Sequence, residues 1–157
     1  MADFTVASTT QDSSATHRGQ SLAPNIAGPN GSGGPGTANP VYLEYFNVGY
    51  PNGSLTGRAA VCYVYDTLPT LANLNAGTGA IATSTGTSDG NDFGSGSFTR
   101  NFIFGGDSLD PTKTYFILFP ADQLLCHKTN PYSGGVAYTN RLMSTSYDLQ
   151  FETGFNV

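Results

Sequence analysis

The stretch TGRAAVCYVYD, Thr56 to Asp66, decides the fold class. Ala59, Val61, Tyr63 and Tyr65 fall on one side of an extended chain, and Ala60, Cys62, Val64 and Asp66 on the other. That period of two, in a segment rich in β-branched and aromatic residues, reads as a strand. Both sides are largely apolar, which predicts an interior strand whose second face is covered by loops or by a partner. Working outward, the same reading applies to VYLEYFNV (Val41 to Val48), SFTRNFIF (Ser97 to Phe104), TYFILF (Thr114 to Phe119) and YDLQFE (Tyr147 to Glu152). Phe4 to Ser8, Arg18 to Ala23, Ala80 to Ser84 and Val136 to Asn140 are weaker strand segments. Eight or nine strands in one chain predict two packed antiparallel sheets, an all-β sandwich. Phe98, Phe102 and Phe104 are expected to share its core with Tyr115, Ile117 and Phe119.

Composition agrees with this reading. The 157 residues include 20 Gly, which supply positive φ at turns, and helices are expected to be minor. Gly28 to Pro40, Thr85 to Gly96 and His127 to Gly135 read as loops, the last carrying an exposed Tyr132. Residues 1–16 read as an N-terminal arm or edge strand, and residues 17–157 as the sandwich domain. The first twenty residues lack the charged start and the run of about 7 to 15 apolar residues of an export signal, so secretion by that route is not expected.

Charge excludes some partners. Six Lys and Arg against eleven Asp and Glu give a net charge of −5, and no two basic residues are adjacent. A nucleic-acid face needs clustered cations to displace phosphate counterions, so none is expected. Apolar runs such as YFILFP (Tyr115 to Pro120) fall far short of the ~20 residues that span a bilayer as a helix, so no membrane partner is expected either. Cys62 and Cys126 have no metal-ligand spacing and read as small core hydrophobes, with a disulfide between neighbouring strands as the alternative.

Catalytic constellations are sparse. There is no G-x-S-x-G elbow, and His17 and His127 stand in separate loop-like contexts. Glu44, Asp66, Asp148 and Glu152 lie on strands, where a carboxylate usually faces solvent. The chain is therefore read as non-enzymatic, with no cofactor apart from a candidate calcium ion. Asp89, Asn91 and Asp92 in SDGNDFG are its candidate ligands, since a hard cation takes such side-chain oxygens together with backbone carbonyls. Asp107 and Asp110 in GDSLD form a second acidic loop, and ordinary Asx-turns are the competing reading of both. Tyr50 (VGYPNG) and Tyr132 (NPYSGG) sit in turns and are the candidate ligand platform for glycans.

Four segments, GQSLAPNIAG, GRAAVCYVYDTLPTLANLNAGTGAIATST, LDPTKTYFILFP and YDLQFETGF, occur in the order found in a known family. Through them the chain resembles the jelly-roll β-sandwich domains of choice-of-anchor bacterial surface proteins and of phage virion decoration or tail proteins. The resemblance covers most of the chain from Gln20 onward. It implies a jelly roll, with a strand, a Pro-containing turn and a further strand in the second segment. It also implies adhesion, carbohydrate binding or decoration of a larger assembly. The resulting expectation is a virion structural protein, a capsid decoration or cement protein or a tail-associated one, that binds capsid or tail subunits and forms a homo-oligomer. Phe4 and Val6 would then add a strand to a neighbour. The alternative is an extracellular carbohydrate-binding or adhesive module.

Overall fold

The computed structural model describes residues 2–6, 12–26, 28, 37–48, 61–85, 100–120, 124–126, 130–149 and 151–157, with backbone alone at 2–6, 12–16, 100–101 and 124–126. The strands are β1 (Ala2–Val6), β2 (Asp12–Leu22), β3 (Val41–Val48), β4 (Tyr63–Tyr65), β5 (Ala82–Thr83), β6 (Arg100–Leu109), β7 (Tyr115–Leu118), β8 (Leu124–Cys126), β9 (Ala137–Thr139) and β10 (Phe151–Asn156). One short helix, α1 (Leu71–Ala76), stands between β4 and β5.

Two antiparallel sheets follow. The first, sheet A, has the order β1-β10-β3-β6; the second, sheet B, has the order β5-β4-β7-β2-β8, with β9 also paired to β2. Apart from β4 and β5, which pair within sheet B, successive strands cross from one sheet to the other, and β8 and β9 are additions beside β2 in the connection from β7 to β10. Without those two, strands one to eight form sheets ordered 1-8-3-6 and 5-4-7-2. That is the jelly roll, in which paired Greek keys wrap a single core.

Period-two alternation builds the core. In β3, Val41, Leu43, Phe46 and Val48 are fully buried while Tyr42 is exposed. The period slips once, because Glu44 is an extra residue: β10 pairs Gly154 with Tyr45 and then Phe155 with Leu43. This β-bulge returns Phe46 to the core side. Phe102, Phe104, Tyr115, Ile117 and Phe119 share the same core, as expected from sequence, while Phe98 lies outside the described residues. Cys62 is a buried free thiol in this core, and burial pushes its pKa well above the usual range.

The outer face of sheet B carries a second, smaller cluster of Tyr65, Leu74, Leu118 and Leu142, with Tyr63, Ala80, Phe116 and Tyr138 against it. α1 delivers Leu74, and the turn after β9 delivers Leu142, held at φ 58°. Arg18 on β2 fastens this cover: its Nε donates to Asn140 Oδ1, and its Nη1 donates to Pro120 O and to Asn75 Oδ1 (3.4 Å).

Several expectations need correction. The boundary between residues 16 and 17 falls inside β2, and the residues before it build β1 and the start of β2. A helix intervenes before the further strand of the second segment, because Thr70 caps it: Asn73 N donates to Thr70 Oγ1 (3.2 Å). The last strand begins at Phe151, and Asp148 is fully buried rather than solvent-facing, for reasons given below.

Candidate functional site

The two sheets differ in what covers them. Sheet B is roofed by α1 and the turn after β9, whereas no described element covers the outer face of sheet A. Register places Tyr45 at its centre, between Ile103 of β6 and Gly154 of β10. Tyr42 is flanked by Ser108 and Asn156, and Asn47 by Asn101 and Glu152. Tyr42 is 40% exposed and Ile103 47%. A Cβ built at Gly154 would lie 2.6 Å from the Tyr45 Cζ, so glycine is what lets the Tyr45 ring rest on β10. Asn47 Nδ2 donates to Glu152 Oε1 (3.4 Å). The face thus combines an aromatic and aliphatic strip with the carboxylates of Glu44 and Glu152, and no described side chain on it is basic.

One margin of this face is β1. It pairs with β10 through one backbone edge, and its other edge has no partner strand among the described residues. Such an edge presents unpaired N–H and C=O groups to an incoming strand. Phe4 and Val6 occupy the register positions opposite Thr153 and Phe151.

The other sequence-derived candidates fare differently. Tyr50, Asp89, Asn91 and Asp92 lie outside the described residues. Tyr132 is corrected: it is 1% exposed, a core residue and not a platform. Its ring packs edge-on against Phe151 (5.5 Å between centroids), while its hydroxyl donates to Ala23 O (3.0 Å) and accepts from Ala23 N (3.1 Å). The glycines after it, read as turn formers, serve a close approach instead; a Cβ at Gly135 would overlap the Ser21 carbonyl on β2. Burial pushes the Tyr132 phenol up to about 12.

Asp110 closes an Asx-turn, its Oδ1 accepting from Thr112 Oγ1 (2.7 Å) and Thr112 N (2.9 Å), and those bonds lower its pKa. Among the described residues no three His, Cys, Asp or Glu side chains converge as metal ligands, and no helix is long and apolar enough to cross a membrane.

The buried carboxylate missed from sequence is Asp148. Gln20 Nε2 donates to its Oδ1 (2.7 Å) and Tyr132 N to its Oδ2 (2.6 Å). With the Asn130 amide oriented by its hydrogen-bonding surroundings, Nδ2 donates to Oδ2 (2.9 Å) and Oδ1 (3.1 Å). Gln20 Oε1 in turn accepts from Leu149 N (2.8 Å). Burial pushes the Asp148 carboxyl up to about 6, against the bonds from Tyr132 and Gln20 that favour its ionised form.

No family model matches this chain, and no curated protein or solved structure does. Fold and surface together define it as a jelly-roll β-sandwich in which, among the described residues, one sheet is roofed and the other is not. Tyr42, Tyr45 and Ile103 were missed as surface residues because aromatic and β-branched residues within a strand read as packing. Alternation in VYLEYFNV marks Tyr42 as opposite to the core residues Val41 and Leu43, whereas Tyr45 reaches the same outer face only through the bulge at Glu44.

Proposed function

We propose that the chain is a non-enzymatic structural protein of a phage-type virion, a capsid decoration or tail-associated subunit that binds its neighbours through sheet A. The observation that carries this reading is the contrast between the two sheets: among the described residues, α1 and the turn after β9 roof sheet B, whereas Tyr42 and Ile103 of sheet A are exposed and the outer edge of β1 has no partner strand. Aromatic residues are enriched where proteins meet, and an open edge offers main-chain bonds to a partner strand. The jelly roll supports the reading by analogy of fold, since viral capsid domains use it; lectin domains do so too. Attachment would combine an added strand at β1 with burial of the strip beside it. A stable contact buries about 1,200 to 2,000 Å² in total, and repeated contacts on a lattice hold a shell together.

Quantitative mass spectrometry on purified particles tests this. The intact chain is expected at a fixed ratio to the major capsid subunit, near-stoichiometric for a head protein and a small fraction of it for a tail protein. A Tyr42→Ser, Ile103→Lys variant, changed only at exposed positions, is expected to lose at least tenfold in occupancy. Absence of the chain from particles would overturn the reading in favour of a secreted glycan-binding or adhesive module.

A further inference from the structure

Between Tyr65, the last residue of β4, and Ile81, which returns to it through a bond to Val64 O (2.8 Å), the chain makes an excursion around α1. Thr70 caps the helix start, and Gly77 and Thr78 end it by donating to Leu74 O (3.2 Å) and Asn73 O (2.9 Å). This closed path, fixed at both helix ends, surrounds an open pocket of about 220 Å³. Tyr65, Asp66, Thr67, Leu68, Asn73 and Thr78 line it.

The lining is polar, and its Asp66, Thr67, Asn73 and Thr78 are exposed. Thr70, next to the pocket, gives its hydroxyl to the helix, and Asp110 elsewhere gives its carboxylate to its own turn. The side chains of Asp66, Thr67, Asn73 and Thr78 form no hydrogen bond to other described residues, although all four are at one opening. They supply a carboxylate acceptor, an amide that both donates and accepts, and two hydroxyls that do the same. Leu68, 38% exposed, adds apolar surface, while Tyr65, 3% exposed, offers little of its ring and its hydroxyl donates to Asn73 O (3.4 Å).

That mixture selects a ligand class. A phosphate or uronate would meet Asp66 with no Lys, Arg or His in the lining to offset it. A calcium ion takes six to eight oxygen ligands, commonly from several carboxylates, and here there is one. An aliphatic ligand would leave four polar groups desolvated and unpaired. Vicinal neutral hydroxyls satisfy acceptors and donors together, while the C–H face of a sugar ring suits the exposed Leu68. The volume is below the roughly 300 to 1,000 Å³ of pockets that enclose drug-sized molecules, so it admits about one ring. We infer that this pocket binds a single ring of a neutral saccharide, free or at the end of a chain.

Titration of the ¹⁵N-labelled full chain with glucose, galactose, mannose and N-acetylglucosamine, followed by amide chemical shifts, tests the inference. At least one of these sugars is expected to shift amides of residues 65–79 with millimolar affinity, as a ligand of this size allows. Asp66→Ala, at an exposed position, is expected to raise that Kd at least tenfold, and Lys113→Ala to leave it unchanged. A matching disaccharide that binds more tightly identifies a chain end as the natural ligand; equal affinity identifies the free sugar. Absence of shifts in residues 65–79 with all four sugars, or shifts that persist in Asp66→Ala, would overturn the inference. The pocket lies beside sheet B and the assembly reading rests on sheet A, so each can fail alone.

Discussion

Replacing Phe46 with Ala is expected to cost about 3 to 5 kcal/mol of unfolding free energy, the range for removing a large aromatic side chain from a packed core. Phe46 is fully buried and joins the two sheets. Its ring stacks on Phe151 of sheet A (5.3 Å, 15°) and meets Phe119, just beyond β7 of sheet B, at 6.3 Å and 40°. Phe119 in turn meets Phe102 of sheet A edge-on (4.7 Å, 70°). Removing the ring between Phe151 and Phe119 leaves a hole bounded by both sheets, which a sandwich can close only by shifting one sheet against the other. Domains are commonly stable by about 5 to 15 kcal/mol, so the variant should unfold at far lower urea concentration. Tyr42→Ala, on the exposed side of the same strand, is expected to change stability by less than about 1 kcal/mol. A Phe46→Ala variant no weaker than Tyr42→Ala would refute the core assignment.

The second large effect is a pH dependence centred on Asp148. Its carboxyl is raised to about 6 by burial, against about 3.9 in an unfolded chain. The folded state therefore binds more protons between these values, and stability from this group is fully present below about pH 4 and lost as pH rises through 6. Two pKa units correspond to roughly 2 to 3 kcal/mol. Asp148→Asn removes the titration. It also turns an amide N–H₂ toward donors, because Gln20, Asn130 and Tyr132 all point N–H groups at the carboxylate. The variant is thus expected to be less stable than the parent at pH 4, with the gap narrowing by roughly 2 to 3 kcal/mol by pH 7. Urea unfolding of both proteins across that range measures it; a gap that stays constant from pH 4 to 7 would contradict the assignment.

Much of the fold was legible because period-two alternation survives in strands buried on one face. VYLEYFNV became β3 with matching ends, and TYFILF became β7 within one residue at each end. The bulge at Glu44 was hidden, since one inserted residue changes the pairing and not the composition. YDLQFE misled for a different reason: Asp148 occupies a slot that alternation gives to solvent, and donors from the distant Gln20 and from Asn130 and Tyr132 make its burial tolerable. Tyr132 followed the same pattern, its partner Ala23 lying more than a hundred positions away. The pocket beside α1 was invisible because its polar residues read as turn formers, and their freedom from internal hydrogen bonds is a property of the folded chain. Local pattern thus gave the strands, whereas long-range polar pairing decided which strand-end residues were buried.

Amide hydrogen exchange, compared between the free chain and the chain on purified particles, distinguishes attachment through sheet A from attachment through sheet B. Attachment through sheet A gives new protection in Ala2–Val6, with slowed exchange across Val41–Val48 and Arg100–Leu109, while the turn after β9 and the excursion around α1 stay unchanged. Protection confined to those sheet B elements, with sheet A exchanging as in the free chain, would contradict it.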